Sequence, residues 1–237
     1  METRAQRGPA VCLVSGGMDS AVTLAEARVA GFAPHALTFA YGQRHAAELE
    51  CAKRVARAGG AVEQREVTVD LSALGGSALT DDLPVPKDRT HATIGVGVPA
   101  TYVPARNTVF LAVALGWAEI LGARDIFLGV NAVDYSGYPD CRPAFLQAFE
   151  ELARVATAAG TEEGARFTVH APLQDLGKAD IVRRAQELDV DLSLTLSCYD
   201  PELRGEQVLA CGRCDACRLR LKGFAEAGLV DPVPYAG

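Results

Sequence analysis

A short apolar run, Ala10 to Val14, meets Ser15-Gly16-Gly17-Met18-Asp19-Ser20, and beyond it Ala21, Val22, Leu24, Ala25 and Val29 recur at helical spacing. Strand, tight glycine turn and helix in that order constrain the fold more than any other stretch of the chain. Paired glycines open backbone conformations closed to other residues and bring N–H groups close to an anion, while the helix beyond offers its positive end. Val14 to Ser20 therefore reads as a phosphate cradle. Ser15 and Ser20 add hydroxyl donors, and Asp19 is placed to hold a metal ion. The spacing matches neither G-x-x-x-x-G-K-[ST] nor G-x-G-x-x-G. A glycine-rich turn with a serine helix cap is the plainer reading of the same residues.

The alternation continues along the chain. His35 to Tyr41 reads as a second strand, and Gly42-Gln43-Arg44-His45 leads into a helix marked by Leu49, Ala52 and Ala56, with Glu50 and Arg54 spaced as an i,i+4 ion pair. Val62 to Val69 alternates loosely enough for an edge or third strand. Regularity then disappears from Leu71 to about Arg106, and an irregular stretch this long is usually functional or mobile, a lid over a substrate being one such role. From Asn107 to Leu121 nearly every residue is apolar, which predicts a helix buried on several sides. Asp125 to Asn131 reads as a buried strand, and a polar loop ends at Pro143, a good first helical residue. Phe145, Phe149, Leu152 and Ala156 mark the next helix, Phe167 to His170 a strand, and Lys178 to Leu188 a further helix. This order predicts an α/β fold: a doubly wound, mainly parallel sheet with helices on both faces. Ligands in such sheets sit beyond the carboxyl ends of the strands. The loops at Ser15, Tyr41 and Asn131 all follow strands, so one rim is expected to gather them.

With 237 residues, the chain suffices for an α/β domain over 1–192 and a smaller C-terminal segment over 193–237. Its formal charge of −7 weighs against a protein that grips a phosphodiester backbone, although Arg213, Arg218, Arg220 and Lys222 form a local basic cluster. A small-molecule substrate, with no nucleic acid partner, fits better. Ala10 to Val14 is too short for a signal peptide, and Val109 to Leu121 falls short of the roughly 20 apolar residues a bilayer requires. No membrane association is expected. The expected compartment is a reducing cytoplasm, where seven cysteines stay free of disulfides.

Four of those cysteines cluster. Cys211, Cys214 and Cys217 are spaced C-x2-C-x2-C, and Cys198 lies upstream. Four thiolates suit a closed tetrahedral zinc site, structural because no coordination position stays open. An iron–sulfur cluster is the rival reading, but no cysteine followed by proline completes a ferredoxin run. Cys12, Cys51 and Cys141 read as ordinary core or loop thiols, Cys141 alone lying in the polar rim loop.

Other residue types point to the same rim. Lys178 opens its helix after Asp175 and would neutralise a leaving pyrophosphate, or is a plain surface lysine. Arg44 and Arg106 suit bidentate contacts to a phosphate or carboxylate, or loop-tying roles. Asn107 reads equally as a helix cap. Asn131, Asp134 and Tyr135 supply the amide, carboxylate and ring that a flat base needs, in competition with turn roles. His45 would carry a proton or anchor its loop.

Ser15-Gly-Gly-Met-Asp-Ser20 resembles the pyrophosphate loop of ATP pyrophosphatases. Tyr41-Gly-Gln-Arg-His45, Gly75-Gly-Ser-Ala-Leu-Thr-Asp-Asp82, Tyr102-Val-Pro-Ala-Arg-Asn-Thr108, Gly129-Val-Asn-Ala-Val-Asp-Tyr-Ser-Gly-Tyr-Pro-Asp-Cys-Arg-Pro143 and Ser197-Cys-Tyr199 with the cysteine triplet extend the resemblance. Over nearly its full length the chain resembles the 7-cyano-7-deazaguanine synthases of the queuosine pathway, with a connection from Cys198 to Cys211 a few residues longer than that family's. The resemblance implies an adenine nucleotide alpha hydrolase-like fold, one Zn2+ on the four cysteines, Mg2+ with ATP, and often a homodimer. It also implies conversion of 7-carboxy-7-deazaguanine and ammonia to the nitrile through an adenylated acid and an adenylated amide. The chain's length leaves no room for a glutaminase domain, so ammonia is expected to arrive free. The rivals are a pyrophosphate-loop enzyme that modifies tRNA and a zinc-bearing nucleotide sensor without catalysis.

Overall fold

A computed structural model of the protein describes residues 7–43, 47–94, 96–131, 137–205 and 207–236. Strand β1 (Pro9–Leu13) leads into helix α1 (Met18–Val29), followed by β2 (Ala33–Ala40), α2 (Ala47–Ala58) and β3 (Glu63–Thr68). Then come α3 (Arg106–Leu121), β4 (Asp125–Phe127), α4 (Pro143–Ala156), the short α5 (Ala158–Glu162), β5 (Thr168–His170) and α6 (Lys178–Glu187). A hairpin of β6 (Glu202–Arg204) and β7 (Gln207–Leu209) and a last helix, α7 (Asp215–Glu226), complete the order. The first five strands form one parallel sheet in the order β3-β2-β1-β4-β5. Strand order therefore reverses between β1 and β4, and a crevice opens above their carboxyl ends.

The period-two alternation of β1 divides the core. Val11 and Leu13 face the cluster built with α3 and α4, where Leu111, Ala114, Trp117, Leu146 and Phe149 are buried. Ala10, Cys12 and Val14 face α1 and α2, against Leu24, Ala27, Ala52 and Val55. The opposite side of α1 packs Met18, Val22 and Ala25 on Ile181, Val182 and Ala185 of α6 and Phe224 of α7. Enclosed between sheet and helices, α1 is fixed at the root of the glycine loop; burying a side chain such as Leu24 is worth about 1.5–3 kcal/mol.

Several expectations shift. The strand expected over 125–131 stops at Phe127, although Leu128 N still donates to His170 O at 2.9 Å. The chain then passes so close to α1 that a Cβ at Gly129 would lie 3.2 Å from the Asp19 backbone. Helix α3 is buried on several sides as expected, yet leaves one four-spaced stripe, Thr108, Ala112, Gly116 and Ile120, exposed. Glu50 pairs with Lys53 at 2.7 Å instead of Arg54, whose guanidinium donates to Cys51 Sγ. Helices α5 and α7 and the β6–β7 hairpin lie beyond the elements that the periodicity predicts. The irregular stretch 71–105 buries Leu71, Ser77, Ala78, Leu79, Val85 and Val103 and crosses the C-terminal segment, where Lys87 bridges Cys214 and Arg89 pairs with Asp215 at 2.8 Å.

Candidate active site

The glycine loop turns on Gly16, whose φ of +82° admits no strain-free side chain, and a Cβ there would come within 2.6 Å of Glu48 O and Ala52 N on α2. The loop thus lies against the first turns of α2. Ser20 closes it internally: its hydroxyl accepts from Ser15 N at 3.2 Å and donates to Gly17 O at 3.0 Å. Ser15 Oγ accepts from Gly17 N at 3.4 Å. Gly17 is the N-cap of α1 and has no side chain to satisfy the first-turn amides, so the positive end of the helix stands open at the cleft. One cleft takes in Val14, Ser15, Gly17, Met18, Asp19 and Ser20, while Gly16 faces α2.

Asp19 is the polar hub of this wall. Its Oδ2 accepts from Lys178 Nζ at 2.6 Å and from Asn131 Nδ2 at 3.1 Å. Its Oδ1 is buried without a hydrogen-bond partner among the described residues. A buried carboxylate oxygen left unsatisfied is costly unless something cationic or donating meets it, and that arrangement suits a divalent ion bridging to phosphate. Lys178 reaches its position because α7 carries Gly223, where a Cβ would sit 2.7 Å from Lys178 Cβ.

Across the cleft, the chain enters α3 through Ala105, held in the left-handed region at φ 55°, a conformation that costs a non-glycine residue about 1–2 kcal/mol. The turn places Arg106 and Asn107 in the first turn of α3, at the cleft. Arg106 Cζ lies 5.8 Å from the centre of the Tyr41 ring. Burial works against its charge, yet Tyr41, Tyr138, Tyr199 and Cys141 around it hold the guanidinium above the ordinary arginine value, so it stays cationic. Asn107 is committed locally: its Nδ2 donates to Asp140 O at 3.1 Å and Cys141 Sγ at 3.1 Å, while Asp140 Oδ2 accepts from Asn107 N at 2.9 Å. Asp140 thereby caps α3, a role for which the sequence alone points to Asn107. Phe39 and Phe110 stack at 4.0 Å and give the cleft an aromatic wall.

Arg44, His45, Asp134 and Tyr135, the other residues expected at this rim, lie outside the described residues. Three further residues line the cleft: Glu48 has no signal in the sequence, Ser197 figures there only in the family resemblance, and Arg220 only in the basic cluster. Glu48 stands in the first turn of α2, and burial pushes its carboxyl up to about 7 against the pull of Arg106. Ser197 Oγ accepts from Met18 N at 3.4 Å and from Arg220 Nη1 at 3.4 Å. Arg220 is itself buried, in a two-pronged pair with Asp231 at 2.7 and 3.0 Å and a bond to Thr195 Oγ1 at 2.7 Å. Through these bonds α7 is tied to the glycine loop. The expected basic cluster is largely paired: Arg213 meets Asp88, Arg220 meets Asp231, and Lys222 lies 3.6 Å from Glu226.

Cys198, Cys211, Cys214 and Cys217 are all buried, with sulfurs within 4.8 Å of one another. Backbone N–H groups of Cys211, Tyr199 and Cys214 approach Cys198, Cys214 and Cys211 sulfurs at 3.2, 3.4 and 3.3 Å. Amides aimed at sulfur favour thiolates, and four gathered thiolates fit a tetrahedral zinc shell. Cys214 stands at the N-cap of α7 and Cys217 in its first turn, so a metal held by the four sulfurs would tie down the start of that helix.

Among the described residues no helix is long and apolar enough to cross a membrane. The family model for queuosine biosynthesis protein QueC matches residues 9–228. The 7-cyano-7-deazaguanine synthase of Geobacter sulfurreducens is 61% identical over 226 residues, covering 95% of this chain and 92% of that protein. That of Paramagnetospirillum magneticum is 59% identical over 228 residues, covering 96% and 99%, and that of Myxococcus xanthus is 59% identical over 226 residues, covering 95% and 96%. Agreement of this depth over nearly the whole length places the chain in the queuosine biosynthesis protein QueC family.

Proposed function

We propose that the protein is an ATP-dependent carbon–nitrogen ligase converting 7-carboxy-7-deazaguanine and ammonia to 7-cyano-7-deazaguanine. The observation that carries this reading is convergence: the open N-terminus of α1, the Lys178–Asp19 pair that Asn131 supports from behind, and the buried Arg106 cation meet at one cleft, lined by Asp19, Lys178 and Arg106. ATP phosphates lie on the Ser15–Ser20 loop, whose backbone donors are preorganised for charge that develops on phosphate oxygens. Asp19 Oδ1 suits the Mg2+ that accompanies ATP, and Lys178 neutralises the departing pyrophosphate. Arg106 holds the substrate carboxylate against the α-phosphate.

In the first stage a carboxylate oxygen attacks the α-phosphorus and pyrophosphate leaves. Ammonia then displaces AMP to give the amide. In the second stage the amide oxygen attacks the α-phosphorus of another ATP, and loss of AMP with the remaining N–H protons leaves the nitrile. Asn131 bonds Asp19 in the structure, so its part is to orient that carboxylate; Asn107 shapes the cleft through Asp140. The four cysteines would hold Zn2+, which supplies a cross-link and no open coordination position. Residues 1–192 form the nucleotide unit, and 193–237 the metal-bearing segment docked on it.

Incubation with 7-carboxy-7-deazaguanine, ammonium and Mg·ATP tests the proposal: mass spectrometry is expected to find the nitrile and AMP. Absence of both overturns it.

A further inference from the structure

We propose that Glu48 is the proton acceptor for the ammonia steps, a catalytic residue distinct from those that hold ATP. The inference rests on the ligase reading above. Ammonia is largely ammonium near neutral pH, and its lone pair is free to attack only after one proton has gone. The nitrile stage needs the same service, because N–H protons must leave as the carbon–oxygen bond to AMP breaks. Neither proton can go to the Arg106 guanidinium, held in its charged form, or to Lys178 Nζ, which itself donates to Asp19 Oδ2 at 2.6 Å. Asp19 Oδ2 already receives Lys178 and Asn131.

Glu48 lines the same cleft. Its backbone supports Gly16, so its side chain springs from the wall beside the phosphate loop. It lies deep among protein atoms yet keeps part of its surface open to the cleft, and no hydrogen bond to its carboxylate is found among the described residues. Among the described residues, the groups facing it are the Arg106 guanidinium on α3, the Tyr41 phenol after β2 and the Cys51 thiol on its own helix. Among these only Arg106 is charged, and its pull on Glu48 is outweighed by burial. A base serves best when its pKa lies near working pH, and a carboxyl at about 7 meets that condition. The step balances: one Glu48 oxygen takes a proton from ammonium, the nitrogen lone pair forms the C–N bond, the C–O bond to AMP breaks with its electrons, and the second nitrogen proton leaves with the AMP phosphate. The open face of the cleft returns the proton to solvent before the second stage.

The steps separate experimentally, because adenylation of the carboxylate needs no ammonia. In Glu48→Gln, pyrophosphate exchange into ATP dependent on 7-carboxy-7-deazaguanine is expected within about twofold of wild type. Ammonium-dependent amide formation is expected to fall by about 10²-fold and to recover as pH rises and free ammonia accumulates. Glu48→Asp is expected to restore part of the amide rate. Parallel loss of exchange and amide formation would assign Glu48 to binding or to holding Arg106, and overturn the proposal. So would a Gln variant with an unchanged amide rate and pH profile. A wild-type protein that shows neither exchange nor nitrile defeats the ligase reading and this inference with it, whereas an active wild type beside either contrary variant result defeats the inference alone.

Discussion

Lys178 Nζ lies 2.6 Å from Asp19 Oδ2 although 159 positions separate the two residues, and both side chains are largely enclosed at 14% and 22% exposure. The pair joins the first turn of α1, after the central strand β1, to the first residue of α6, after the edge strand β5. Replacing Asp19 removes an acceptor from Lys178 and Asn131 together. Asp19→Ala is expected to lower turnover by about 10²-fold or more, with a melting temperature within a few degrees of wild type. Activity near wild type would show that neither the loop nor Lys178 depends on this carboxylate.

Arg220 and Asp231, 2% and 3% exposed, form a buried pair that also secures Thr195 and Leu192. Truncating one member leaves the other charge without compensation, which costs about 3–5 kcal/mol. Arg220→Met should show that loss in urea denaturation, and should also raise the KM for ATP, because Ser197 loses a donor next to Met18. A loss below about 1 kcal/mol would contradict the buried-pair account.

The cysteine cluster carries its own test. Cys214→Ser is expected to release the metal and lower the melting temperature, since metal binding contributes folding free energy and Cys214 caps α7. Elemental analysis checks the first outcome, calorimetry the second. Unchanged metal content would remove Cys214 from the ligand set.

Stability should also depend on pH through Glu48. Its carboxyl lies at about 7 in the folded protein against an ordinary value of 4.5. The native state therefore holds a proton that the unfolded chain releases, and this contribution, complete below 4.5, is lost as pH rises to 7. At about 1.4 kcal/mol per unit the loss approaches roughly 3 kcal/mol. Glu48→Gln should therefore match wild type near pH 4.5 and exceed it in urea denaturation near pH 8. A difference independent of pH would contradict the raised value.

What the sequence discloses is local. Ser15 to Ser20, the helix from Arg106 and the four cysteines are legible because glycine geometry, apolar periodicity and ligand spacing are written in adjacent residues. Element ends are less so: the strand beginning at Asp125 stops at Phe127 because Gly129 must pass close over α1, a constraint set by packing. Asn107 looks like a cap and is instead the residue capped, since Asp140 reaches it from 33 positions away. Ser197, Arg220, Gly223 and Glu48 have no spacing signal. Their roles exist only once α7 docks on α6 and the start of α2 meets the glycine loop.

The most direct measurement follows isotopes through the reaction. With 15N-ammonium and carboxylate-18O substrate, the protein is predicted to give a 15N-labelled nitrile and AMP that carries 18O. Unlabelled AMP, release of ADP in its place, or no nitrile at all would contradict attack of the carboxylate on the α-phosphate.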